Sequence, residues 1–132
     1  MTMNSQEVFD TVATHLMNQG RRAFDPVRSE CRYRAPNGDM CAVGCLIPDS
    51  LYDEYRMEGE NAEELILYTP ELRSLFDKDM NLQLFDSLQG AHDHDMLLSM
   101  DAWVSSMRSI AAKYELSDAV LDGYGEDDDE TT

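Results

Sequence analysis

The stretch that decides the fold is CRYRAPNGDMCAVGCLIPDSLYDEYRMEG, residues 31–59. It holds all three cysteines of the chain and has no clear helical repeat of apolar side chains. Residues 31–34 alternate apolar and basic side chains, which is typical of a half-buried strand. Residues 36–39 have the composition of a tight turn, because proline fixes φ and Asn-Gly tolerates positive φ. We therefore predict a hairpin in which residues 40–43 return as the partner strand, or begin a short helix.

Helical signals lie on both sides of this stretch. Asn4 and Glu7 form a capping box, and apolar residues spaced by four predict a first helix that ends at Gly20. Further along, a second capping box begins at Asn61, and Thr69 precedes a proline at the first position of another helix. Both signals predict short helices.

Two longer helices are predicted in the second half of the chain. The first spans about Met80 to Ala91 and the second about Ser99 to Tyr114, and each has an apolar stripe. Between them, the polar run His-Asp-His-Asp at residues 92–95 is expected to break the helical pattern. Ser117 is the candidate cap of a last short turn.

These elements predict a helix-rich α+β fold, a single domain with about five or six helices packed around a small β-hairpin. A two-stranded hairpin is marginally stable alone in water, so the helices must pack on it. The chain lacks the strand–helix–strand alternation of a doubly wound sheet. We expect residues 1–122 to form one globular domain and residues 123–132 to form an acidic, flexible tail.

Four short motifs stand out: C-x-Y-R at residues 31–34, G-x-x-CAVGCLIPD at residues 38–49, MEG at residues 57–59 and LQ-x-x-HD at residues 88–93. Together with Tyr52 and Trp103 they resemble a family of small proteins from bacteria and their phages. The resemblance covers about residues 6–116. It implies a bacterial or phage cytoplasmic context, and it implies no particular reaction.

Charge is the strongest compositional signal. The chain has 27 acidic and 10 basic residues, for a net charge of −17. The excess lies after residue 34, because the five arginines before that point nearly balance the acids there. We expect those arginines to pair with the chain's own carboxylates. A surface so acidic repels phosphate backbones, which argues against direct nucleic-acid binding, and attracts basic protein surfaces. Solubility alone is the alternative explanation of the charge.

The sequence also indicates a compartment. It contains no apolar stretch long enough to cross a bilayer, and its first residues lack the basic-then-apolar pattern of a signal peptide. An odd number of cysteines without such a signal is typical of reduced thiols. We therefore expect a cytoplasmic protein without membrane partners.

One alternative is a small cysteine–histidine hydrolase. Cys41 follows the predicted turn at a candidate helix N-terminus, where the helix dipole stabilises a thiolate. His92 or His94 would be the general base, and Asp93 would orient it. The competing interpretation is that the cysteines are core residues and that His92 packs beneath the hairpin.

A second alternative is a zinc-stabilised module. Cys31, Cys41, Cys45 and His92 together offer the soft ligands that zinc prefers. The spacing C-x9-C-x3-C lacks the close C-x2-C pair of most zinc sites, which favours structural thiols instead. The leading expectation therefore includes no cofactor.

The leading hypothesis is a non-catalytic, acidic binding protein of phage or bacterial accessory type. It would dock on a basic host protein, such as one that binds nucleic acid, and inhibit it, with DNA mimicry as the extreme form. The predicted contact residues form an acidic run that flanks the central stretch: Asp53, Glu54, Glu58, Glu60, Glu63 and Glu64.

Overall fold

The computed structural model describes residues 2–124, and its first element is helix α1, Ser5–Gln19. Asn4 Oδ1 accepts from the Glu7 N–H at 2.8 Å, and Glu7 Oε1 accepts from the Asn4 N–H at 3.0 Å. Gly20 ends the helix with φ 72° and donates to Leu16 O. The predicted first helix and both of its limits are therefore confirmed.

A small antiparallel hairpin follows α1. Strand β1, Phe24–Asp25, pairs with strand β2, Glu30–Cys31, and Phe24 lies opposite Cys31. Asp25 begins the connecting turn, because its Oδ1 accepts from the Val27 N–H at 2.9 Å and from the next N–H at 3.3 Å. The hairpin thus lies one turn earlier in the chain than the sequence predicts.

The predicted pairing of residues 31–34 with residues 40–43 was wrong beyond one isolated bridge, between Arg34 and Met40. The turn at residues 36–39 is present, with Gly38 at φ 97°. After it the chain enters a 3₁₀ turn, Gly44–Leu46, which matches the alternative of a short helix.

Three short helices come next: α2, Glu54–Met57, α3, Ala62–Tyr68, and α4, Pro70–Arg73. Asn61 Oδ1 accepts from the Glu64 N–H at 3.1 Å, so the predicted helix start at Asn61 is confirmed. Pro70 occupies the first turn of α4, as predicted from Thr69-Pro70.

The second half contains a long helix in three parts: α5, Gln83–Gly90, a π-helical segment, Ala91–Asp95, and α6, Met96–Leu98. The polar run at residues 92–95 therefore continues the helix, and the predicted break was wrong. The reason is that His92 is fully buried and hydrogen-bonded inside the fold.

The last elements are helix α7, Met100–Lys113, and a 3₁₀ segment, Ala119–Gly123. Ser99 Oγ caps α7 by accepting from the Ala102 N–H at 2.9 Å, which confirms the predicted helix start. Gly123 and Tyr124, the first two residues of the predicted tail, belong to the fold. The remaining tail residues, 125–132, lie outside the described part of the chain.

One hydrophobic core joins these elements. The largest fully buried side chains include Trp103, Phe9 and Phe85, from α7, α1 and α5. Gly44 fixes the packing of the central stretch, because a Cβ atom there would lie 1.9 Å from Tyr33 O. The predicted helix-rich α+β fold with five or six helices and a hairpin is confirmed. Among residues 2–124, no helix has the length and apolar character that a membrane span requires.

Candidate functional site

The candidate site is a face with three adjoining grooves, which we name the acidic face; acidic residues outnumber basic ones in it, although Arg28, Arg32 and Arg56 also line the grooves. Its central cleft, of about 470 Å³, lies between the chain after β2 and helix α5. The cleft is lined by polar and charged residues, among them Cys31, Tyr33, Glu60, Asp86 and Asp93. Among the residues that the structure describes, Arg32 is the basic side chain that lines it.

Two further grooves extend this cleft. The second groove, of about 310 Å³, shares Arg32, Glu58 and Gly59 with the central cleft. The third, of about 570 Å³, shares Glu54 and Tyr55 with the second groove. Glu54 and Tyr55 therefore form a ridge between two grooves of the same face.

Tyr55 is the most exposed aromatic residue of this face. It is 93% exposed, and its backbone N–H donates to Asp53 Oδ1 at 3.0 Å. The neighbouring aromatic side chains differ, because Tyr33 is buried and Tyr52 is half-buried. Local sequence offered no means to separate Tyr55 from the core tyrosines, since α2 is only four residues long.

The predicted contact residues differ in exposure and in hydrogen bonding. Glu60 and Glu64 are exposed and form no ion pair with a described residue, while Glu54 pairs with Arg32 at 2.9 Å. Asp53 caps α2, and Glu63 is half-buried. These residues all lie along α2, α3 and the loop between them.

Glu58 differs from the other predicted contact residues, because its carboxylate is hydrogen-bonded inside the fold. Its side chain is only 8% exposed. Its carboxylate accepts from the N–H groups of Tyr33 at 2.9 Å and Arg34 at 3.0 Å, and from the Tyr52 hydroxyl at 2.6 Å. The Glu58 carboxylate therefore accepts the backbone hydrogen bonds that a partner strand would otherwise accept from the chain after β2.

Most of the arginines of the first third are paired within the chain, as predicted. Ion pairs join Arg21 to Asp39 at 2.6 Å and Arg34 to Asp49 at 2.8 Å. The hydrogen bond from Arg21 holds the pKa of Asp39 below its usual range. Arg22 differs, because its guanidinium lies over the Phe24 ring at 4.7 Å.

A cluster of reactive residue types lies at the edge of the central cleft. Ligand-type atoms of Cys31, His92 and Asp93 all lie within 4.8 Å of one another. Cys31 and Asp93 line the cleft, whereas His92 is fully buried behind them. The thiol in this cluster is Cys31 and not the predicted Cys41, because the register of β2 brings residue 31 against the helix.

Both ring nitrogens of His92 are engaged. Nε2 accepts from the Ala23 N–H at 2.9 Å, so Nε2 carries no proton. The proton therefore resides on Nδ1, which donates to Asp93 Oδ1 at 2.6 Å. Gln89 Nε2 donates to the same carboxylate oxygen at 2.9 Å. No nitrogen of this imidazole is left to act as a base or to bind a metal.

The thiols are held in their protonated form. Burial, followed by the charge of Asp93, raises the pKa of Cys31 to about 11. Burial also raises the pKa of the fully buried Cys41, and that of Cys45 to about 12. A nucleophilic cysteine requires the opposite shift. His94 is exposed on the π-helical segment.

Neither alternative active group is assembled among residues 2–124. Cys41 and Cys45 lie outside the cluster of ligand-type atoms, so the predicted set of three cysteines with His92 does not form. Cys41 Sγ instead accepts from the Gly44 N–H at 3.2 Å, and Cys45 Sγ donates to Ala42 O at 3.1 Å. Both of these thiols are therefore hydrogen-bonded within the fold.

Comparisons of this chain with protein-family models, with curated proteins and with solved structures found no match. The function must therefore be inferred from the residues and their geometry. These define the class of the protein as an acidic, helix-rich α+β domain with a grooved, carboxylate-lined face.

Proposed function

We propose that this chain is a non-catalytic, acidic binding protein that docks on a basic surface of another protein and blocks it. Its contact surface would be the acidic face, centred on the ridge of Glu54 and Tyr55. A partner that binds nucleic acid has the basic surface required. The cytoplasm of a bacterial cell, including one infected by a phage, is the proposed location.

The observation that carries this proposal is the exposed ridge at Tyr55. Tyrosine is among the residues that contribute most to protein interfaces, because a large rigid ring buries much area at a small cost in entropy. A ring that is 93% exposed on a folded domain has no internal packing role to explain it. The grooves on either side of the ridge give a partner concave surface to fill.

Unpaired carboxylates supply the second support. Glu30 lines the second groove and Glu60 lines the central cleft, and both are exposed and without an ion pair to a described residue. Complementary charge speeds encounter and disfavours acidic partners. The contribution of these residues should therefore appear in the association rate as well as in the affinity.

A pull-down from bacterial lysate at low and at high salt tests the proposal. The bait is the full chain, compared with the variant Glu30→Lys/Glu60→Lys. We expect a stoichiometric partner that persists at high salt with the wild type and is lost with this variant. Persistence at high salt excludes the screened, nonspecific attraction of any acidic protein.

The matched control is Asp79→Lys/Glu115→Lys. Both of these acids are exposed, and neither lines the three grooves. Each double variant changes the net charge from −17 to −13, because each of the two substitutions adds two charges. Equal loss of the partner in both variants would show that only total charge matters and would contradict the proposed surface.

A further inference from the structure

Two side chains of the long helix, His92 and Gln89, connect it to two other segments of the fold. The His92 ring accepts from the Ala23 N–H before β1 and donates to Asp93 on its own helix. Gln89 donates to the same Asp93 oxygen and accepts from the Val43 N–H at 3.1 Å. The hairpin is therefore linked to the long helix through the imidazole, and the loop before the 3₁₀ turn is linked to the same helix through Gln89.

This arrangement requires a neutral ring. A protonated imidazole carries hydrogen on both nitrogens, and its Nε2–H would then face the Ala23 N–H across 2.9 Å. Both residues are fully buried, so water cannot separate the two donors. We propose that His92 is a pH-sensitive latch, closed when its ring is neutral and released from the hairpin when the ring is protonated.

The other two histidines show why only His92 has this property. His15 Nε2 lies 2.8 Å from Met40 O, and a carbonyl oxygen only accepts, so the ring donates there. Protonation of His15 keeps that hydrogen bond. His94 is exposed and solvated in either state. His15 and His94 are therefore internal controls for His92.

The groups around the ring set the direction of the effect. Asp93 faces Nδ1; burial raises its pKa, and its neighbours His92, Gln89 and His94 together hold it below the usual range. Cys31 on β2 has a pKa of about 11, and Arg22 donates to Cys31 Sγ and to Asp93 O. The Asp93 carboxylate and the Cys31 thiol therefore keep one charge state between about pH 5.5 and about pH 8.

The helices packed against the π-helical segment add no buried charge. The buried residues of α5, α6 and α7 are all uncharged: Leu84, Phe85, Leu88, Met96, Trp103, Val104, Met107 and Ala111. Asp95 accepts from Ser106 on α7 and lies on the half-buried side of the segment. Asp86, on α5, lines the open cleft. The imidazole is therefore the group whose protonation would break the link to the Ala23 N–H.

The direction in which pH changes the closed population follows from proton linkage. The open state takes up a proton that the closed state excludes, so the closed population falls as pH falls. An exposed imidazole titrates at about pH 6.5, and one proton changes the ratio of closed to open by at most about tenfold per pH unit below that value. Above it, the latch is closed and insensitive to pH.

Hydrogen exchange of the Ala23 amide in the full chain tests the latch. We expect its protection factor to be constant from about pH 8 to about pH 7 and to fall by up to about tenfold per unit below about pH 6.5. The Val12 amide in α1 should not follow it. A flat profile for Ala23, or a parallel fall at Val12 that indicates global unfolding, would overturn the proposal.

Two variants and one spectrum complete the test. His92→Gln keeps an acceptor for the Ala23 N–H and cannot titrate, so its Ala23 profile should be flat, whereas His15→Gln should retain the wild-type profile. A titrating profile in His92→Gln would overturn the latch. If that variant does not fold, the ring ¹⁵N shifts of wild-type His92 decide: the Nδ1–H form at about pH 7.5 supports the latch, and any other form contradicts it.

Discussion

The Cys31–His92–Asp93 cluster and the ridge at Tyr55 lie on the same face, but their polar groups are used in opposite ways. In the cluster, both nitrogens of His92 are bonded within the chain and the thiol pKa is raised to about 11. At the ridge, Tyr55 is exposed and Glu60 nearby has no ion pair with a described residue.

The difference shows that residue type is a poor guide to reactivity. A thiol, an imidazole and a carboxylate within 4.8 Å resemble a catalytic constellation until the hydrogen bonds of each atom are counted. The cluster then proves to be a structural link between the hairpin and a helix. The groups available to other molecules are those that the fold leaves unpaired.

The largest effect that we expect is a loss of unfolding free energy in the closely packed part of the fold. Gly44→Ala would place a Cβ atom 1.9 Å from Tyr33 O, so the backbone must move, at a cost of about 4 kcal/mol in the free energy of unfolding. Gly90→Ala is the control, because a Cβ there meets nothing within 4 Å and Ala favours the helix. Urea denaturation measures both. Equal stabilities would refute the close packing of residue 44.

A comparison of Glu58→Ala with Glu60→Ala distinguishes an internal carboxylate from a surface carboxylate. We expect a loss of about 3 kcal/mol in unfolding free energy, because the N–H groups of Tyr33 and Arg34 and the hydroxyl of Tyr52 would lose their acceptor. Glu60→Ala, an exposed neighbour, should change stability by less than about 0.5 kcal/mol. Similar losses for the two variants would place Glu58 back among the surface residues.

Some features of the fold could be predicted from the sequence and others could not. The helix limits at Asn4, Gly20, Asn61 and Ser99 were predictable, because capping is decided by residues three or four positions apart. The position of the hairpin was not, because the Tyr33 and Arg34 N–H groups donate to Glu58 and not to a strand at residues 40–43. Glu58 lies more than twenty residues along the chain from those N–H groups.

The site was predictable only in part for the same reason. The acidic run from Asp53 to Glu64 and the structural nature of His92 could be inferred from composition and spacing. The position of Cys31, and not Cys41, beside His92 could not be inferred, because it depends on the register of β1 against β2. The exposure of Tyr55 depends equally on where the remaining tyrosines pack.

Thiol reactivity gives the next contrast. At about pH 7.5, iodoacetamide should label Cys31 in the folded chain about a hundredfold more slowly than in the urea-unfolded chain, because a pKa of about 11 leaves little thiolate. Cys41 and Cys45 should be slower still, since they are more deeply buried. Mass spectrometry of the labelled peptides provides the rates. Rapid labelling of Cys31 or Cys41 in the folded state would revive the hydrolase interpretation.

The most direct test of the central claim compares Tyr55→Ala with Cys31→Ser in one binding assay, with the partner captured by the wild-type chain. We expect Tyr55→Ala to weaken binding by about thirtyfold or more, as for an interface anchor, with unchanged unfolding free energy. Cys31→Ser should bind within about twofold of the wild type, because its thiol is a structural group. Full binding by Tyr55→Ala together with loss in a folded Cys31→Ser would contradict the account.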